Sequence, residues 1–180
     1  MAIINCACIL VNGRDMTNVI PDGAPMMWPS ALMLAISAVA LGIRVKYVAE
    51  TLSVIIMSLS ILFLAVGVPS TGQTFYDSGS SDVPSDATLV AFLVMGFARK
   101  MELTYHAIWP AVTAYSVSLL IGLTAVLGYM LWIPWMWFSR DPAHGAMSLS
   151  MGISLAILSI WRLRFYYRDG ENSMRRLLGR

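Results

Sequence analysis

The chain has 180 residues, enough for one compact domain, and nothing in it marks a second. It is 58% hydrophobic and only 12% charged, with a mean hydropathy of +0.70, where soluble domains carry roughly 25% charged residues. That composition cannot cover a water-facing surface, so an all-α, polytopic helical membrane protein is expected, and the net charge of +2 makes no case for nucleic acid as a partner.

Residues 1–27 read as an N-terminal extramembrane segment. Their start, MAIINCACILV, has no basic stretch and too short an apolar run for a secretory signal, so membrane entry would rely on an internal span. Cys6 and Cys8 stand two apart, too close for an unstrained disulfide to each other. No second Cys pair or nearby His completes a zinc or haem signature, and buried thiols are the plainer reading.

A bundle is expected over residues 28–161, with spans at about 28–43, 51–68, 85–102, 107–133 and 145–161. Trp28 suits an interface and Pro29 a first helical position, where its missing N–H would be unpaired anyway. The run Thr51 to Val68 carries no charge, and its eighteen residues give about 27 Å, close to a hydrocarbon core of about 30 Å. PSTGQTFYDSGSSDVPSD then reads as an acidic loop whose Ser85 or Asp86 would cap the next helix. The third run, ATLVAFLVMGFA, has only twelve residues, so it would cross only if Arg99 and Lys100 snorkel outward. The fourth ends in YMLWIPWMWF, an aromatic belt closed by Pro134. The fifth is closed by Trp161 and followed by a basic tail, residues 162–180.

Charge placement orients this map. With the N-terminus outside and the C-terminus inside, Arg44, Lys46, Arg99, Lys100, Arg162, Arg164, Arg168 and three further tail arginines are cytoplasmic. That makes ten, against Arg14 and Arg140 outside. The named seven would meet the membrane surface, and RKMELTYH becomes a hydrated turn. It matches RVKYVAET in composition, which raises a distant duplication of hairpins 28–68 and 87–133.

Candidate chemistry is sparse. Glu102 and His106, four apart, would share a helical face and could serve a proton relay or ligand pair, although in a turn both are simply hydrated. His106 and His144 are weak candidates for a pigment or haem ligand, and no cofactor or metal is otherwise expected. No metalloprotease, P-loop, nucleophile-elbow or dinucleotide motif is present. Small residues recur at intervals of four: Ala38 with Gly42, Ala114–Ser118–Gly122, and Ser148–Gly152–Ala156. Such stripes let helix backbones approach closely in lipid. Ser53, Ser58 and Ser60 would line water or bond back to their own helix.

The function expected is that of a non-catalytic membrane subunit. It would pack through small-residue faces against itself or other membrane subunits, in a cell membrane, the bacterial inner membrane first. In small size, several spans, short loops and a basic tail the chain resembles phage holins, which implies pore formation as the alternative. No residue motif carries that resemblance. A small transporter or membrane enzyme using Glu102 and His106 is the third reading.

Overall fold

A computed structural model describes residues 28–67, 84–133, 136 and 147–177. Among them the architecture is all-α: α1 (Trp28–Gly42), α2 (Lys46–Gly67), α3 (Asp86–Thr104), α4 (Ile108–Leu131) and α5 (Leu149–Leu177). Two of these are long and apolar enough to cross a membrane, α2 over Lys46–Ala65 and α4 over its full length. The shorter α1 is apolar from Pro29 to Gly42.

Helix limits follow local chemistry. Ser85 caps α3, its hydroxyl accepting from the Thr88 N–H at 3.3 Å and pairing with the Thr88 hydroxyl at 2.7 Å. The helix then runs 19 residues, about 28 Å, well past its twelve apolar positions. α2 starts at Lys46 rather than Thr51, because Lys46 to Glu50 are helix-competent and no breaker follows residues 43–45. α4 ends before Pro134 with Trp132 in a left-handed conformation, φ 54°, and the Ile133 N–H bonds to the Gly128 carbonyl at 2.9 Å.

α5 differs most from expectation. The helix expected to close at Trp161 continues unbroken to Leu177, 29 residues or about 43 Å. Leu155, Ser159 and Arg162 extend one buried stripe, which Leu163 and Tyr166 carry past the last apolar run.

Neighbouring helices run antiparallel. α2 and α3 meet where Thr104 donates to Glu50 at 2.8 Å and where Gly96 lies against the Ser53 carbonyl. α4 and α5 meet from Tyr129, which donates to the Met147 carbonyl at 2.9 Å, to Tyr115, whose ring lies 6.3 Å from that of Tyr166. The connections 43–45 and 105–107 and the helix α5 beyond Trp161 therefore gather at one end of the bundle.

The interior mixes large apolar side chains such as Leu34, Phe92 and Leu155 with small and polar ones, and the exterior is largely aliphatic. Ala31, Ser37, Ser53, Ala111, Gly122 and Ala125 are buried. Ile61, Leu62, Leu120, Leu127, Ile153 and Ile157 are exposed. Inward serines cause no penalty where they bond within their own helix: Ser37, Ser53 and Ser60 donate to carbonyls four residues back at 2.8, 2.7 and 2.9 Å. Ser53 and Ser60 thus take the back-bonded option, while Ser58 is exposed.

RVKYVAET and RKMELTYH occupy opposite settings. The first follows a connection and opens α2; the second closes α3. Both strings lie where helices reach the same end of the bundle.

Candidate functional site

The most chemically loaded place among the described residues lies at that end, and it is an ion cluster. Arg99 on α3 and Arg162 on α5, 6% and 7% exposed, converge on Glu102. Glu102 Oε1 accepts from Arg99 Nη1 at 3.0 Å and also from Arg162 Nη2. Its Oε2 accepts from the Tyr115 hydroxyl of α4 at 3.3 Å. One carboxylate therefore joins three helices.

Arg99 does a second job. Its Nε donates to the Ala40 carbonyl and its Nη2 to the Ile43 carbonyl, each at 3.1 Å. These carbonyls lie at the C-terminus of α1, where helical groups lack intrahelical partners and the macrodipole favours a cation. The pocket behind Arg99, between Ser37, Ser53 and Gly96, is packed too tightly to admit water.

Arg162 is roofed by aromatic rings, its guanidinium carbon lying 5.9, 5.3 and 5.9 Å from the ring centroids of Trp161, Phe165 and Tyr166. Burial, with the Glu102 charge next, holds the Tyr166 phenol above its ordinary value, so its hydroxyl keeps its proton and remains a donor.

Two expected surface residues are thereby corrected. Arg99 and Arg162 do not lie at the periphery; buried partners, a carboxylate and helix-end carbonyls, draw them inward. Arg44, Lys46, Arg164 and Arg168 are exposed and Lys100 is half-buried, all at the same end. Glu102 is 18% exposed at its side chain, so it is not a freely hydrated turn residue.

His106 does not join Glu102. α3 stops at Thr104, and His106 is exposed with φ 49°, so no helical face is shared between them. Among the described residues no group of three His, Cys, Asp or Glu is placed to hold a metal. His144, Cys6 and Cys8 lie outside the described residues.

The small-residue stripes divide. Gly122 and Gly152 face one another: a Cβ on Gly122 would lie 2.8 Å from the Gly152 carbonyl and 3.1 Å from the Ala156 nitrogen. Ala114, Ser118 and Ser148 are buried along the same two helices. Ala38 is only half-buried, and Gly42 is exposed with nothing within 4 Å of a built Cβ. α1 instead turns Ser30, Leu34, Ser37 and Leu41 inward, so its packing face is rotated away from Gly42. Gly96 is the close approach the stripe search missed; it lies against Met57 and the Ser53 carbonyl, with no second small residue four positions away.

Arg162, Tyr115 and Tyr166 were also not singled out as partners of Glu102. A signal existed: Glu102 is the only acidic residue between Asp86 and Asp141, and a lone carboxylate near apolar runs calls for a cation. Comparison with protein-family models, curated proteins and solved structures gives no match to this chain.

Proposed function

We propose that this chain is a multi-pass membrane protein, N-terminus outside and C-terminus inside, acting as a non-catalytic subunit that packs helix against helix within a larger membrane assembly. A bacterial inner membrane is the setting that its build suits. The observation that carries the reading is the apolar exterior of the bundle: Leu32, Ile61, Leu62, Leu120, Leu127, Ile153 and Ile157 are exposed, while serine, alanine and glycine share the interior with large apolar side chains such as Leu34, Phe92 and Leu155. Water favours the opposite arrangement, whereas lipid tolerates it and rewards close backbone contact.

The placement of Arg44, Lys46, Lys100, Arg164 and Arg168 at one end supports the orientation. Exposed Tyr47, Tyr105, Trp109 and Tyr167 stand at that end, and exposed Trp132 at the other, as interfacial aromatics do.

The test is membrane extraction with topology labelling. Alkaline carbonate should leave the chain in the membrane, and cysteines placed at Lys100 and Arg180 should react from the same side of sealed vesicles, with one at Asp82 reacting from the other. Mild detergent should then recover it with partner subunits in a fixed ratio. Release by carbonate would overturn the membrane reading; recovery as a lone single chain would overturn the subunit reading.

A further inference from the structure

The polar groups around the ion cluster are not all used. Buried side-chain atoms on the α4–α5 seam close no hydrogen bond: Ser118 Oγ, Ser159 Oγ, Arg162 Nε and the Tyr166 hydroxyl, the last interacting with Glu102 and Arg162 without a bond of ordinary geometry. Ser159, Arg162 and Tyr166 recur at helical spacing on one face of α5, and Ser118 lies one turn beyond Tyr115 on α4. Native interiors rarely leave such atoms unpaired without a functional reason.

All four groups can donate, and the Arg162 Nε–H can do nothing else. The cluster also sets two guanidinium groups against one carboxylate, so a positive charge remains after its internal pairs are made. Spare donors with uncompensated positive charge make a receptor for an anion that only accepts. Phosphate fits best, offering several acceptor oxygens to an arginine fork.

The surroundings indicate the source of that phosphate. Arg162 lies between Trp161 and Phe165, 50% and 52% exposed, where the aliphatic exterior gives way to exposed Arg164 and Arg168. A phospholipid sets acyl chains against apolar surface and its phosphate at this level. We propose that the α4–α5 seam at Arg162 and Tyr166 binds the phosphate of an anionic phospholipid, an inference that rests on the membrane reading above. The Arg162 side chain turns outward between the two rings to meet it, and the Tyr166 ring swings with it, so that its hydroxyl, buried in this structure, donates the second bond. Arg99 stays on Glu102, so the carboxylate keeps a partner throughout.

The experiment is thermal unfolding of the full chain in neutral detergent, with micelles doped with phosphatidylglycerol, with phosphatidylcholine, or with inorganic phosphate in the buffer. Saturating phosphatidylglycerol should raise the midpoint by roughly 5 °C or more, and the other two should raise it far less. Tyr166→Phe should raise the half-saturating lipid concentration about tenfold, and Arg162→Lys, which keeps the charge but lacks Nε, should abolish the shift. Equal shifts with both lipids would overturn the proposal, as would a shift from inorganic phosphate as large as that from phosphatidylglycerol. An unchanged response in Tyr166→Phe would overturn it even where Arg162→Lys fails to fold. Carbonate release from membranes is a separate result; it would remove the membrane reading and this proposal with it.

Discussion

Two regions on the same helix pair hold the bundle by opposite means. At the Gly122–Gly152 crossing, α4 and α5 touch backbone to backbone with no charge and no side chain between them. Ten residues further along α5, about 15 Å, Arg162 reaches Glu102 through a charge-assisted bond. The crossing should therefore respond to added volume and not to salt, and the cluster to loss of a charge more than to a change of shape. On the membrane reading proposed above, depth would explain the division: dispersion persists where neighbours and solvent are both hydrocarbon, and ionic pairs cost less where a helix nears the polar boundary.

The sharpest way to break that contrast is Glu102→Ala. It leaves Arg99 and Arg162 buried without their carboxylate, and about 4 kcal/mol of stability should be lost in a detergent melt. A loss under about 1 kcal/mol would make the cluster an ornament of the surface. Arg99→Met should follow, at about 3 kcal/mol, because the Ala40 and Ile43 carbonyls lose their donor. Amide exchange around residues 40–45 should quicken in that variant and not elsewhere on α1.

Gly122→Ala tests the other region. Its Cβ would press on the Gly152 carbonyl, so the helices must separate, and about 2 kcal/mol should be lost at low and high salt alike. Gly42→Ala is the smallest expected effect and the matched control. With nothing near its Cβ, the exchange should change stability by about 0.5 kcal/mol, in the stabilising direction. A large loss there would restore the Ala38–Gly42 stripe as a contact face.

The helices were legible because long apolar runs bounded by polar connections admit few alternatives. Ser85 was legible as a cap, since its hydroxyl acts within its own turn. Spacing alone marked Gly122 and Gly152 as positions where a helix could be approached closely, without pairing them; the structure sets them against one another. The same rule failed for Ala38 and Gly42, because spacing does not fix which way a uniformly apolar helix is rotated. In α1 that rotation is set by Leu34 and Leu41 facing inward.

The ion cluster was harder for a different reason. Glu102 and Arg162 are 60 residues apart, and nothing local in either segment refers to the other. Counting lysines and arginines by side treats each as a point near the boundary, which suits Arg44 or Arg168. It cannot show that Arg99 and Arg162 fold back into the protein. The end of α2 nearest the cluster was also misjudged, since Lys46 and Glu50 resemble a loop in composition and act as the first turns of a helix.

Arg99 also has a bearing on biogenesis. The carbonyls it caps, Ala40 and Ile43, leave the ribosome 59 and 56 residues ahead of it. At translation speeds of about 5 to 20 residues per second, the nascent first hairpin waits roughly 3 to 12 seconds for the donor that completes it. Until then the carbonyls at the end of α1 lack that donor, and the end of α1 is completed only when the third helix arrives.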